Sequence, residues 1–299
     1  MTWDNCIVRL NSDSTGSFYT GDIVTGTVIL EFDQEQKIER IDLHVIGISK
    51  AQWTRSMPTM PYIKIYSEKK KILSISICDI FSEIISGKKI RPGIYTYPFH
   101  FALPLDLPSS FESKIAKVHY CIKIKSKPAV KVRKNVPLRI LENVNLNHLE
   151  EMMITSIHDF VKAFRTSGKF SVSVKTYRAF ASKQTVPFEI ILNNSRKVKI
   201  SKLTVALIQK LRYEVQTGYA EEEKTMCKAE NKKFANALVE ICNLKIEMPS
   251  LCPSTIHSLG AMVNISYEFR VKVKFRFHFS LIGSIPVTVA TVPVIHHDF

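Results

Sequence analysis

The most regular feature of the sequence is an alternation of apolar and polar residues between positions 261 and 279. Every odd position in this stretch is apolar, whereas most even positions are polar or charged. Because successive side chains of a β-strand point to opposite faces, the pattern predicts a long strand with one buried and one exposed face. The odd residues, up to and including Phe277 and Phe279, are therefore expected in the core.

Four shorter segments show the same alternation, at residues 27–32, 118–124, 170–174 and 203–207. They are rich in Val, Ile, Phe and Tyr, and Gly, Pro, Asn and Ser lie between them, as strands and turns require. Helical spacing is confined to residues 147–164, where a capped helix opening at Asn147 competes with the β-branched Ile154, Thr155 and Ile157. The sequence thus predicts an all-β fold with one connection of undetermined structure.

The two halves of the chain repeat one another. Four features recur in the same order, namely 37–43 with 199–205, 107–110 with 252–255, 118–125 with 265–272, and 136–138 with 285–287. The repeat aligns Tyr120 with Tyr267, and its offset of about half the chain indicates duplicated domains rather than a short-period solenoid. We therefore predict two tandem Ig-like antiparallel β-sandwich domains, at residues 1–145 and 166–299, joined by a connection at 146–165.

Length and composition agree with a folded two-domain protein. The chain has 299 residues, 45% apolar and 23% charged, which is enough for two separate cores. It has no apolar run of the roughly 18 residues that span a membrane, and its first residues do not resemble a secretory signal, so we expect a cytosolic location. The six cysteines include no C-x-x-C pair, which favours free thiols, with Cys78, Cys121 and Cys242 expected in the core.

The chain is basic throughout, with a formal net charge of +15. Residues 1–149 hold 21 basic against 14 acidic residues, and residues 150–299 hold 21 against 13, so the excess is +7 and +8. A surface of this kind favours anionic partners such as phosphorylated peptides, acidic lipid headgroups or nucleic acid.

Two basic runs are the candidate contacts with an anionic surface. The polar face of the long strand carries Arg270, Lys272, Lys274 and Arg276, and the matching strand of the first half carries Lys123, Lys125 and Lys127. A single run of this kind usually only solvates a strand and discourages edge pairing. Because the run recurs by duplication, we predict that both faces contact anionic surfaces, the alternative being that they serve solubility alone.

No catalytic, metal or cofactor motif is present. The sequence contains no G-x-S-x-G, no phosphate-binding glycine loop and no H-E-x-x-H. The adjacent His296 and His297 near the end of the chain are expected in a solvated tail. We therefore predict a protein that is not an enzyme and binds no cofactor or metal.

Several segments resemble the arrestin superfamily, and specifically the α-arrestins. In the first half these are 18–30 (FYTGDIVTGTVIL), 41–47 (IDLHVIG) with Trp53, and 91–112 (RPGIYTYPFHFALPLDLPSSFE). In the second half they are 190–195, 207–209 with Tyr213, and 285–293 (IPVTVATVP). The resemblance extends over nearly the whole chain, and its most specific part is 91–112.

The resemblance implies a cytosolic adaptor at the plasma membrane or endosomes. Such a protein would bind cytoplasmic segments of membrane receptors or transporters and link them to endocytic sorting or ubiquitylation machinery. Family members usually carry Pro-Pro-x-Tyr motifs for WW domains of ubiquitin ligases; this sequence contains no Pro-Pro pair. Ligases are therefore expected to be reached indirectly.

Two alternatives stay open at this point. A retromer-subunit-like sorting scaffold would share the fold. A basic nucleic-acid-binding protein is the alternative from another class, and it would need aromatic side chains on the same face as the positive charges. In the long strand these two kinds of residue occupy opposite faces, so no specific nucleic acid is expected.

Overall fold

A computed structural model of the chain describes residues 5–12, 16–56, 62–85, 89–127, 132–164, 169–195, 197–235, 237–258 and 261–297. The strands of the first half are β1 Asn5–Leu10, β2 Ser17–Tyr19, β3 Ile23–Phe32, β4 Gln36–Lys37, β5 Arg40–Ser56, β6 Ile63–Ile77, β7 Lys89–Ile90, β8 Gly93–Ala102, β9 Phe111–Glu112, β10 Ala116–Lys127 and β11 Val132–Leu141. They are followed by the helix α1 Glu150–Met153 and by β12 Thr155–Ala163, β13 Lys169–Tyr177, β14 Ala179–Ala181, β15 Thr185–Asn194, β16 Ile200–Val215, β17 Gly218–Asn231, β18 Val239–Glu247, β19 Val263–Phe275 and β20 Leu281–Ala290.

The chain divides into two compact units. Unit 1 consists of Met1–Glu142 with two short segments, Tyr213–Tyr219 and His257–Met262. Unit 2 consists of Asn143–Arg212, Ala220–Ile256 and Val263–Phe299. The predicted domain limits, 1–145 and 166–299 with a connection at 146–165, stay a prediction.

Unit 1 contains a three-stranded sheet in the order β1-β3-β8 and a larger sheet in the order β2-β11-β10-β5-β6, with β9 paired to β10. Strand β2 runs parallel to β11, whereas the other pairs in these two sheets are antiparallel. Alternate residues of β3 and β10 are buried, as their apolar and polar pattern predicts. The predicted strand segments 27–32 and 118–124 therefore lie within β3 and β10.

Gly47 shows why a glycine is needed in the middle of a long strand. A Cβ atom at this position would lie 2.6 Å from the ring of Tyr120 on β10, far inside van der Waals contact. The register between β5 and β6 also shifts between Gly47 and Ile48, which marks a bulge. Gly47 thus lets a fully buried tyrosine pack directly on the backbone of the neighbouring strand.

Unit 2 contains a sheet in the order β12-β13-β15-β18 and a sheet in the order β14-β20-β19-β16-β17. Phe269 on β19 contacts Phe188 on β15 in an edge-on arrangement, with ring centroids 4.8 Å apart, and stacks with Phe180 at 5.5 Å. These rings fill the core between the two sheets. The predicted fold class, two tandem β-sandwiches, is confirmed.

The two units repeat one strand arrangement, as the sequence repeat predicts. In unit 1, β10 lies between β5 and β11, and a short strand, β2, pairs in parallel with β11. In unit 2, β19 lies between β16 and β20, and the short strand β14 pairs in parallel with β20. Tyr120 on β10 and Tyr267 on β19 therefore occupy equivalent strands.

For residues 147–164 the sequence left a choice between a helix and β structure, and the structure contains both. Helix α1 has only four residues and no side-chain cap, and only Ile154 separates it from β12. Asn147 does not cap the helix. Its side chain instead donates to the carbonyl oxygen of Pro293 at 3.0 Å and accepts from the backbone N–H of Ile295 at 2.9 Å.

The expectation of a solvated tail at His296 is wrong. The imidazole of His296 stacks on the ring of Tyr177, with centroids 3.8 Å apart, and its Nε2 lies 2.7 Å from the carbonyl oxygen of Ala179. The Tyr177 hydroxyl donates to the carbonyl oxygen of His297. These contacts fix residues 296 and 297 against the rest of unit 2.

The cysteines match their predicted burial in two of the three cases. All six thiols are free, and Cys121 and Cys242 are buried. Cys78 is exposed because it follows the last residue of β6, where the chain leaves the sheet. Its assignment to the core is therefore corrected.

Candidate functional site

The polar face of β19 carries the first basic run. Lys272 and Lys274 are exposed, and no ion pair of either is found among the described residues. Arg270 differs, because its Nη2 lies 2.6 Å from Oε1 of Glu268 and 2.9 Å from Oε2 of Glu223. Arg270 is thus paired with two carboxylates. We therefore expect it to contribute less than Lys272 and Lys274 to the binding of an external anion.

Glu268 explains this arrangement. Its side chain is buried on the otherwise polar face, and Nζ of Lys210 lies 2.6 Å from Oε2. Burial opposes ionisation, but the hydrogen bonds from Lys210 and Arg270 outweigh it and hold the pKa of this carboxyl below its usual range. A buried carboxylate of this kind requires its cationic partners, so Arg270 stabilises the fold.

The tip of the β19–β20 hairpin, residues 276–280, differs most from the sequence expectation. Strand β19 ends at Phe275, and the side chains of Phe277 and Phe279 are 82% and 89% exposed. Their assignment to the core is wrong because the alternation continues in the sequence after the chain has left the sheet. The backbone N–H of Arg276, the first residue of the tip, donates to the carbonyl oxygen of Lys199 at 3.0 Å.

The surroundings of the hairpin tip are both aromatic and basic. Phe164, which follows β12, packs edge-on against Phe275 at 5.6 Å and lies 4.9 Å from the ring of His278. The guanidinium of Arg276 lies 5.9 Å from the ring centre of Phe277. Lys162, Lys274, Arg276 and these aromatic residues line an open groove of about 910 Å³. The tip therefore presents apolar and positively charged groups together.

The second basic run lies on β10 in unit 1 and is less accessible. Lys123 and Lys125 are half-buried, whereas Lys127 is exposed at the end of the strand. In the register between β10 and β5, Lys125 lies directly opposite Asp42, and Lys123 lies directly opposite His44. Burial and, next, the charge of Lys125 lower the pKa of His44. The structure thus places the two predicted runs on equivalent strands but in different local environments.

Three observations on the described residues concern metal binding, thiol chemistry and membrane spanning. It contains no group of three or more His, Cys, Asp or Glu residues that could hold a metal ion. Burial raises the pKa of the Cys6 thiol to about 11, which makes it a poor nucleophile. No helix in the described ranges is long and apolar enough to cross a bilayer.

Comparison with known families assigns both halves. Residues 6–147 match the family model described as "Arrestin (or S-antigen), N-terminal domain", and residues 166–294 match "Arrestin (or S-antigen), C-terminal domain". Together the two matches extend over most of the chain. The chain belongs to the arrestin family.

Individual relatives of this arrestin have low sequence identity to it, but the matches extend over most of the chain. Arrestin domain-containing protein 4 of Homo sapiens is 23% identical over 295 residues, which cover 93% of this chain and 69% of the relative. The Mus musculus protein of the same name is 22% identical and covers 94% and 70%. Arrestin domain-containing protein 15 of Caenorhabditis elegans is 22% identical over 236 residues, 75% of this chain and 59% of the relative. These similarities place the arrestin among the α-arrestins, and the family supports the role of an adaptor.

Proposed function

We propose that this arrestin is an adaptor that binds cytoplasmic segments of membrane receptors or transporters and links them to endocytic sorting or ubiquitylation machinery. In this proposal it is cytoplasmic and associates peripherally with the plasma membrane or endosomes. The observation that supports a membrane-proximal role is the hairpin tip, where Phe277 and Phe279 are exposed beside Arg276 and Lys274. Aromatic side chains flanked by basic ones suit the boundary between acidic headgroups and acyl chains.

The energies favour a weak, reversible contact. Lys272, Lys274 and Arg276 would each contribute about 1 kcal/mol near an acidic leaflet, or ~3 kcal/mol together. Burying the two phenylalanines adds at most roughly 3–6 kcal/mol by the usual transfer scale, and less when insertion is partial. A total of about 6 kcal/mol corresponds to an affinity between millimolar and micromolar. Simultaneous binding of a cargo segment would strengthen it through effective concentration.

Co-sedimentation with liposomes tests the membrane contact. We expect the wild type to bind vesicles rich in phosphatidylserine and the variant Phe277→Ser/Phe279→Ser to bind several-fold more weakly. The matched control is Ile94→Ser, which removes an exposed apolar side chain elsewhere on the surface. Equal sedimentation of all three proteins, or of none, contradicts the proposal.

The hairpin tip also reopens the nucleic-acid alternative. The sequence pattern placed Phe277 and Phe279 on the face opposite the basic residues. In the structure both side chains are instead exposed, and Arg276 lies beside the ring of Phe277. Exposed aromatic rings beside a basic residue could stack on bases. Fluorescence anisotropy with a single-stranded oligonucleotide separates the two functions. Binding that is lost in Phe277→Ser/Phe279→Ser, with no binding to vesicles, would favour nucleic acid over the membrane.

A link to ubiquitin ligases is proposed through a second protein. WW domains read a preformed polyproline helix, and this sequence contains no Pro-Pro-x-Tyr. Proximity labelling in the source cells would identify the cargo and any intermediate adaptor. Direct micromolar binding of this chain to a ligase WW array in calorimetry would overturn the indirect route.

A further inference from the structure

Strand β18 is a free edge of the four-stranded sheet of unit 2, because the strand order β12-β13-β15-β18 gives it a neighbour on one side only. It pairs with β15 over all nine of its residues, Val239–Glu247, in one unbroken antiparallel register. A regular edge strand presents a row of unpaired N–H and C=O groups, which is a template for a further strand. The edge of β18 can therefore form hydrogen bonds to another chain.

The hydrogen bonds at the two ends of this pairing show which backbone groups of β18 are free. The N–H of Asn194 donates to the carbonyl oxygen of Leu238 at 2.7 Å, and the N–H of Met248 donates to that of Gln184 at 3.0 Å. Since hydrogen-bonded and non-hydrogen-bonded pairs alternate along an antiparallel pair, the even-numbered residues of β18 bond to β15. The groups of the odd-numbered residues point away from β15, and these residues are Val239, Ile241, Asn243, Lys245 and Glu247.

The side chains of the same odd-numbered residues form an exposed outward row. Val239 and Ile241 are 56% and 61% exposed, and Ile241 lies directly opposite Ile191 on β15. Glu240 is the only charged residue among the first five of the strand, and it belongs to the other face, where its Oε1 accepts from the N–H of Ala235 at 3.1 Å. An added strand would thus meet free backbone groups and aliphatic side chains together.

Four other edge strands carry features that discourage such pairing. Strand β8 has Pro98 near its middle, β6 has three consecutive lysines at 69–71, and β17 has three consecutive glutamates at 221–223. On β12, the opposite edge of the same sheet, the exposed Asp159 lies in the middle of the strand. Proline and charged side chains are common protections of an edge. Strand β18 has no proline, and its outward row carries no charge before Lys245.

We propose that β18 binds an extended segment of a partner protein as an added antiparallel strand, with aliphatic side chains opposite Val239 and Ile241 and an acidic one opposite Lys245. Main-chain hydrogen bonds hold the segment, and the side-chain pairs fix its register. This docking edge shares no residue with the hairpin tip, and a peptide binds it without any vesicle. Its failure would therefore leave the proposed membrane contact untouched.

The size and the charge of the surface favour a short segment over a second copy of this chain. The nine residues of β18 span about 30 Å, so pairing of two such edges, each about 10 Å thick, buries roughly 600 Å² in total. Stable interfaces between proteins bury at least about 1,200 Å². Each copy also carries a formal net charge of +15, so two copies repel one another. A short peptide avoids both difficulties.

Fluorescence anisotropy of the full chain with a labelled peptide tests the docking edge. The peptide consists of threonines, which favour an extended strand, with two valines at alternate positions and a glutamate four positions before the first valine. In an antiparallel register these three side chains lie opposite Ile241, Val239 and Lys245. We expect saturable binding by the wild type and about fivefold weaker binding by Val239→Thr/Ile241→Thr, since apolar contact is lost. The matched control makes the same changes on β12, Ile157→Thr/Val161→Thr, and should bind as the wild type does.

Methylation of the peptide backbone separates strand addition from contact through side chains alone. In the proposed register the N–H groups of the valines and the glutamate point to β18, whereas those of the intervening threonines point away. Methyl groups on the nitrogens of the glutamate and the first valine should weaken binding at least about tenfold, because two hydrogen bonds are lost. Methylation of two intervening threonines should have a smaller effect. This comparison uses the unchanged protein, so it does not depend on the folding of any variant.

The outcomes that overturn the proposal are distinct. Equal affinity of the two methylated peptides excludes strand addition, and equal weakening by the β18 and β12 variants excludes this edge. No saturation of the wild type up to about 1 mM excludes a useful affinity for the segment. Light scattering measures the alternative occupant: a dimer that dissociates in Val239→Thr/Ile241→Thr would assign the edge to a second copy instead.

Discussion

The hydroxyl group of Tyr120 donates a hydrogen bond of 2.6 Å to the carbonyl oxygen of Pro108. Tyr267 repeats this contact in unit 2, where it donates to the carbonyl oxygen of Cys252 at 2.7 Å and accepts from Nε2 of Gln209 at 2.8 Å. Burial raises the pKa of both phenols above the usual range. Each tyrosine therefore ties the central strand of the larger sheet of its unit to a loop that comes earlier in the chain.

Removal of either hydroxyl should destabilise the protein. Tyr120→Phe leaves a carbonyl oxygen unpaired, which costs about 1–3 kcal/mol in the free energy of unfolding. Tyr267→Phe should cost more, because the amide of Gln209 also loses its acceptor. Urea denaturation measures both, with Tyr62→Phe as the control, since Tyr62 is 55% exposed. A Tyr267→Phe variant as stable as the wild type would contradict this prediction.

The sandwich architecture and the equivalence of these tyrosines could be predicted from sequence because both rest on local patterns. Alternation with period two identifies strands, and the repeated order of short segments pairs Tyr120 with Tyr267. The same pattern misplaced Phe277 and Phe279. An alternation does not show where a strand leaves its sheet, and nothing local distinguishes Phe275, which packs against Phe170 at 4.9 Å, from Phe277.

Contacts between residues far apart in the chain could not be predicted from the sequence either. The pairing of Arg270 with Glu223 joins β19 to β17, and the stacking of His296 on Tyr177 joins residues far apart in the chain. The cross-strand position of Lys50 on β5 opposite Lys69 on β6 depends on strand register, which shifts at the bulge after Gly47. Residue types alone could not place Lys50 opposite Lys69.

The ion network at Glu268 makes Arg270 a structural residue in our interpretation. Arg270→Gln should lower the free energy of unfolding by about 1–2 kcal/mol, because it withdraws charge-assisted hydrogen bonds from a buried carboxylate. Lys272→Gln, two positions along the same face, should stay within ~0.5 kcal/mol of the wild type. Chemical denaturation of the two variants gives the comparison. Equal effects would assign Arg270 to the exposed basic run instead.

Protonation of His296 should loosen residues 296 and 297. Burial is the main cause that lowers the pKa of this imidazole below its unfolded value, which is about 6.5. The unfolded chain therefore binds more protons in this range, so the stabilisation is complete above about pH 6.5 and is lost as the pH falls below it. We expect the urea midpoint to fall between about pH 7 and pH 5.

The variant His296→Gln isolates this contribution. Its midpoint should depend less on pH than that of the wild type, because the buried titrating group is gone. The exposed His148, changed to Gln, is the matched control and should leave the profile of the wild type in place. His44 and His158 also have pKa values lowered mainly by burial, so part of the acid sensitivity should persist in His296→Gln. Identical profiles for His296→Gln and the wild type would refute the assignment.

The basic residues of β19 and the aromatic residues of the hairpin tip should contribute to vesicle binding with different salt dependences. Attraction between basic groups and an acidic leaflet is screened over about 10 Å at ~0.1 M salt, whereas burial of Phe277 and Phe279 among acyl chains is not weakened by screening. The variant Lys272→Gln/Lys274→Gln should therefore bind acidic vesicles more weakly than the wild type at low salt, but its affinity should fall less steeply as salt is added. The variant Phe277→Ser/Phe279→Ser should bind several-fold more weakly than the wild type at low salt, and its affinity should fall as steeply as that of the wild type. The affinity of the wild type should exceed that of both variants at every salt concentration, since the two contributions act on one contact.

Surface plasmon resonance on immobilised vesicles at three salt concentrations measures these slopes. Parallel slopes for the two variants would mean that charge and aromatic burial do not contribute separately, and the tip would then not be an inserting element.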